Sequence, residues 1–245
     1  MKQVIITICI ALTVLSCSED SSNPDSSNTD GQGGSLATFT LKGEYLYVVD
    51  EFDLNVFSVS KVEEPVLVNK VPVGFNIETL FSFKDYLYIG SRNGMFIYSL
   101  SNPEFPEMLS GVQHFTACDP VIANDTHAFV TLHSNTMCGN NINLLEIYDI
   151  SKITEPVLVS SRNLISPKGL GLYGNYLIVC DDEVKIFDIS DPNESKLINS
   201  INIEAFDVII RGNTLIAIGD DGLYQLELEN TQTGLSYSTL STIAL

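Results

Sequence analysis

The chain has no tryptophan, three histidines, and 12 Lys and Arg against 31 Asp and Glu, a formal charge of −19. Each shortage excludes something. A surface this acidic cannot neutralise phosphates, so nucleic acid is excluded as a partner. The excess acid serves solubility first. His114, His127 and His133 lack metal-ligand spacing, which argues against zinc. The missing indole leaves Phe and Tyr as the only stacking surfaces for a sugar. There is no Gly-x-Ser-x-Gly elbow, no phosphate loop and no nucleophile with a nearby base. No catalytic residue is assigned. The apolar run Val4–Leu15, broken only by Thr7 and Thr13, is about 12 residues long, short of the ~20 that cross a bilayer as a helix.

That run follows Lys2 and ends at Val14-Leu15-Ser16-Cys17. A basic start, a short apolar core and a small residue before the cut describe an export signal over residues 1–16. The ending resembles the lipobox of bacterial lipoproteins, which implies that Cys17 becomes the lipidated N-terminus. Residues 17–35 are then a flexible acidic Ser/Asn/Gly tether, with no aliphatic or aromatic residue from Ser18 to Gly34 to offset ordering entropy. The Cys17-Ser18-Glu19-Asp20 start also resembles the acidic signal of Bacteroidetes lipoproteins displayed outside the outer membrane. The implied partner is the membrane through the lipid anchor, and the implied place is the outer membrane, facing the cell surface. Cleavage takes Lys2 and moves the charge to −20.

Three cysteines remain for the folded domain. Cys118 opens one repeat and Cys138 lies in the insertion His133–Asn141 that lengthens it, so a Cys118–Cys138 disulfide is expected to staple that loop. Cys180, inside Tyr-Leu-Ile-Val-Cys, reads as a buried free thiol.

From residue 36 to 244 the chain is repetitive. Copies of a Tyr-Leu-Tyr-Val strand begin at Tyr45, Tyr86, His127, Tyr176 and Thr214, spaced 41, 41, 49 and 38 residues apart. Short strands repeating near every 40 residues indicate an all-β propeller of four-stranded antiparallel blades, here five. In the second repeat the strands fall at Glu78–Phe83, Tyr86–Ser91, Gly94–Leu100 and Pro106–Gln113. No strand is offered across the closure, so the ring would close by packing of blade faces; an open arc of stacked blades is the alternative. One chain is expected to act as a monomer.

The third strands, Val56-Phe57-Ser58-Val59, Ile97-Tyr98-Ser99-Leu100, Ile147-Tyr148-Asp149-Ile150 and Ile186-Phe187-Asp188-Ile189, are similar to LVIVD repeats of exported bacterial propellers. With Gly33-Gly34-Ser35, Ile77–Phe81, Ala117–Val121 and Gly222–Gln225, the chain resembles lipid-anchored LVIVD-repeat proteins of the Bacteroidetes type. That resemblance implies the fold and no established activity. One departure stands out: Pro167-Lys168-Gly169-Leu170 replaces the Pro-His-Gly-Leu of similar proteins.

In a propeller, the inner-strand starts share a face with the loops joining second to third strands. Glu78, Asp119, Lys168 and Asp207 therefore converge as candidate ligand-binding residues, beneath loop residues such as Asp50, Arg92, Asp181, Asp182, Asp220 and Asp221. The other reading of the loop acids is ordinary turn chemistry, and of the four inner residues mutual pairing, with Lys168 neutralising Glu78 or Asp119. No cofactor is expected. Calcium is the metal that hard oxygen donors would suit, although no Asp-x-Asp-x-Asp-Gly loop appears. These features favour a non-enzymatic module binding an extracellular protein or glycan. A hydrolase of glycan or ester, with Glu78, Asp119 and Asp207 as acid–base groups, is the alternative. A periplasm-facing scaffold is a third reading. Thiol counting by mass on the denatured, unreduced mature chain should find only Cys180 reactive; free thiols at Cys118 and Cys138 would refute the disulfide.

Overall fold

The computed structural model describes residues 33–113, 120–133, 142–232 and 234–245. Cys17, Cys118, Asp119 and Cys138 lie outside the described residues. Five four-stranded antiparallel sheets follow one another along the chain, each built from four consecutive strands. Blade one holds β1 (Phe39–Lys42), β2 (Tyr45–Val49), β3 (Asp53–Ser58) and β4 (Val66–Pro72). Blade two holds β5 (Ile77–Phe83), β6 (Tyr86–Ser91), β7 (Gly94–Ser99) and β8 (Glu107–Gln113). Blade three holds β9 (Val121–Ala123), β10 (His127–Leu132), β11 (Leu144–Asp149) and β12 (Val157–Asn163). Blade four runs through β13 (Leu170–Tyr173), β14 (Tyr176–Cys180), β15 (Val184–Asp188) and β16 (Lys196–Ile201). Blade five ends the chain with β17 (Asp207–Arg211), β18 (Thr214–Gly219), β19 (Gly222–Thr231) and β20 (Gly234–Ala244). The propeller of four-stranded blades expected from the repeat is thus observed.

Local chemistry explains the regularity. The first hairpin of each blade needs a tight reversal, supplied by a left-handed residue at Gly43, Lys84, Gly174 or Gly212. Blade three uses another device: the Asn124 side chain accepts hydrogen bonds from the Thr126 and His127 amides. Third and fourth strands slip register at one place in every blade, after Val56, Ile97, Ile147, Ile186 and Gln225. Such a bulge adds twist at the outer edge, where the blade must fan out.

Successive blades meet face to face through apolar clusters. Tyr47, Val49, Leu54 and Val56 of blade one pack on Leu80, Leu87, Ile89 and Tyr98 of blade two. Tyr88, Met95 and Ile97 meet Val121, Val130 and Tyr148 at the second seam. Phe129, Leu145 and Ile147 meet Leu177, Val179 and Phe187 at the third. Ile178, Val184 and Ile186 meet Val208, Leu215 and Leu226 at the fourth. Among the described residues, no such cluster joins blade five to blade one.

That fifth seam is tied on the channel side by polar bonds. Ser35, which precedes β1 and is 1 % exposed, donates its hydroxyl hydrogen to Asp207 Oδ1 at 3.2 Å and accepts from the Leu170 amide at 2.7 Å. The approach is close enough to need glycine: a Cβ on Gly34 would stand 2.0 Å from Asp207 Oδ2, and one on Gly169 2.3 Å from Asp207 Oδ1. Ser35→Ala strands a buried amide and removes a donor from a buried carboxyl, which should cost about 1–3 kcal/mol. A lowered urea midpoint checks this, and an unchanged midpoint would show that the tie carries no stability.

Candidate functional site

The face chosen from sequence carries the second-to-third-strand turns, and the structure sorts its charged residues into engaged and available. Glu78 is the extra residue of a bulge in β5, between Ile77 and Thr79 in the pairing with β6. Its partner is Arg92, whose Nε donates to Glu78 Oε1 at 2.6 Å from the β6–β7 turn. The pairing is therefore with the neighbouring turn of the same blade and not with Lys168.

Two of the loop acids are engaged by the backbone, Asp50 within its own turn and Asp181 across to a distant connection. Asp50 accepts from the Phe52 and Asp53 amides and from Asn55 Nδ2, which lowers its pKa. Asp181, 5 % exposed, accepts from the Ile165 and Ser166 amides and from Lys185 Nζ, pinning the link between blades three and four. Lys185 also bonds Asp182, which holds that carboxyl below its ordinary range.

Asp207 opens β17 and is bonded by the chain that enters blade one. Burial pushes its carboxyl above the ordinary value of 3.8, and bonds from Val208, Leu36 and Ser35 offset only part of that. Lys168 lies half-buried at the start of β13. Its carbonyl accepts from Thr131 Oγ1 at 2.6 Å, and its amide donates to the Cys180 carbonyl at 2.7 Å. Burial first, and then the Lys168 ammonium, lowers the pKa of His133, while a bond to Asn143 works the other way. Cys180 is a free thiol buried beneath this group, its pKa raised by desolvation.

What remains available gathers in a cleft of about 380 Å³ between blades four and five. Lys168, Glu204, Phe206, Asp220 and Asp221 line it, beside Asp181 and Asp182, which Lys185 already holds. Glu204, Asp220 and Asp221 are exposed, and Phe206 is half-buried. The sequence singled out Lys168 and the aspartates but missed Glu204 and Phe206. They lie between β16 and β17, in a connection without repeat signature, so no alignment of repeats marks them. Deeper in the channel the walls are apolar: Phe81, Ile122, Leu170, Leu172 and Val208 enclose about 270 Å³. The acidic character is thus a property of the outer turns and not of the channel wall. Among the described residues, no three His, Cys, Asp or Glu side chains are placed to hold a metal ion.

Residues 33–72, 84–113 and 168–202 match the LVIVD repeat, falling on blades one, two and four. No curated protein matches the chain. Among solved structures it is similar to the periplasmic gluconolactonase PpgL of Pseudomonas aeruginosa, with a TM-score of 0.63 and 15% identity over 83% of this chain and 68% of that one. A protein from Lactobacillus plantarum gives 0.67 at 12% identity, over 82% and 69% of the two chains. BamB from Moraxella catarrhalis gives 0.57 at 12% identity, over 76% and 56%. Identities this low establish a shared fold alone.

The raised pKa of Asp207 has a defined sign. The native state keeps a proton that the unfolded chain releases just above pH 3.8, so this site stabilises fully below that pH and loses its contribution as pH rises through the folded value. Between about pH 4 and pH 8, the urea midpoint of the wild type should therefore fall relative to Asp207→Asn. Parallel profiles would mean the carboxyl titrates as it does in the unfolded chain.

Proposed function

We propose that this chain is a lipid-anchored envelope propeller that works as a non-enzymatic binding module, holding an extracellular protein or glycan in the cleft between blades four and five. The observation that carries the reading is the division of its polar groups. Glu78 is held by Arg92, Asp181 by two amides and Lys185, and Asp207 by the entering chain, so each already serves the fold. The cleft, in contrast, offers exposed carboxylates as acceptors, one ammonium as donor and the ring of Phe206 as a stacking face. Several polar contacts around one aromatic surface suit the hydroxyls and ring face of a sugar, or a basic peptide. Cys17 anchors the module in the outer membrane, and the polar tether holds it away from the bilayer toward the cell exterior.

A second reading, an extracytoplasmic hydrolase of the general kind named in PpgL, draws on Asp207, because a raised pKa is what a general acid needs. Against it, Asp207 is packed beneath Gly34 and Gly169, where even a methyl group does not fit. The discriminating experiment presents the full chain to a glycan array and to a panel of basic peptides, alongside Lys168→Ala, Phe206→Ala and Asp220→Asn. Phe206→Ala should weaken a specific signal about tenfold, equivalent to about 1.4 kcal/mol. A ligand indifferent to all three would overturn the cleft as the site, and turnover abolished by Asp207→Asn would install the hydrolase in its place.

A further inference from the structure

We propose that a second copy of this chain docks on the open fifth seam, blade one of one copy against blade five of the next. The register of the strands identifies one inner-strand position in all five blades: Phe39, Leu80, Val121, Leu170 and Val208, each opposite its second-strand partner. Four of them are at most 2 % exposed, whereas Phe39 is 60 % exposed. The same contrast runs across the sheet. Val48 and Phe57 are half-buried in blade one, while Ile89 and Tyr98 at their places in blade two are 0 % and 2 % exposed. On blade five, Ile216 and Ile218 are half-buried, where Tyr47 and Val49 of blade one are sealed by blade two. Even the rim is bare: Val62 is 85 % exposed, whereas Ile153 at the matching loop position of blade three packs on the second-seam cluster.

The occupant follows from continuity. Blade one presents the backward face that forward faces receive at four seams of this molecule, and blade five presents the matching forward face. One chain thus carries both halves of an interface it already builds four times. Phe39, Val48, Phe57, Ile209, Ile216 and Ile218 give the two faces an apolar middle, and Glu227, opposite Thr214, is an exposed acid sharing the face of Ile216 on blade five. Because the faces differ, the contact is head-to-tail, and two copies leave one of each face free unless the rotation closes a ring. A face four strands wide spans about 19 Å, a small contact, so the association is read over a wide concentration range. This solution state departs from the monomer expected from sequence, and it is independent of the binding cleft.

Sedimentation velocity of the full chain over about 1–300 μM reads the outcome. The sedimentation coefficient should rise with concentration for the wild type and stay at the single-chain value for Phe39→Glu and for Ile216→Glu. Phe39→Glu is placed at an exposed position, so it leaves the fold intact. An equal mixture of the two variants should form a two-chain species that grows no further, because each retains one intact face. A wild type that stays at the single-chain value throughout overturns the proposal. So does a loss of thermal stability in Phe39→Glu at low concentration, which would mean that the two faces meet within one chain.

Discussion

Both faces of a blade are apolar, and that constraint governs the rest of the molecule. A sheet with one wet face can end a structure; a sheet with two dry faces needs a neighbour on each side. Tyr88, Ile89, Met95 and Ile97 of blade two alternate between two different seams, and each is at most 1 % exposed. The order of the blades, their twist and the narrow channel all follow from stacking such sheets. So does the anomaly, since a finite stack leaves two faces over. Here these are the backward face of blade one and the forward face of blade five, and the tie from Ser35 to Asp207 spans them only near the channel.

The same stacking decides which polar groups are free. Connections between blades must cross from an outer strand to the next inner strand, and their backbone amides need acceptors. Asp181 meets that need for Ile165 and Ser166, and Asp207 for the chain entering at Ser35 and Leu36. Carboxylates spent in this way fix the frame against which Lys168, Phe206, Asp220 and Asp221 are set. The cleft between blades four and five is therefore made of what the connections did not consume.

Much of this was legible in the residues. Tyr-Leu-Tyr-Ile-Gly-Ser at Tyr86–Ser91 became a strand with the bounds read from its alternation, and Ile77–Phe83 began one residue earlier than read. Gly43, Gly174 and Gly212 marked turns because only a left-handed residue reverses the chain there, although Lys84 adopts that conformation without being glycine. The site was less legible. Glu78 finds Arg92 because a bulge turns its side chain toward the β6–β7 turn, and bulges leave little trace in a pattern of period two. Phe206 was passed over because an isolated aromatic in a connection carries no periodicity.

By itself the sequence determined the repeat, the strand alternation, the hairpin turns and the face on which the charged residues gather, because each of these depends on near neighbours along the chain. The tertiary structure alone decided which carboxylates are bonded and which are free, and that the fifth seam lacks an apolar cluster among the described residues. Those outcomes depend on distance between residues as far apart as Ser35 and Asp207, and on how much each blade rotates relative to the last. Small rotations add up over five blades, so whether the last face reaches the first is a property of the whole stack that no single repeat encodes.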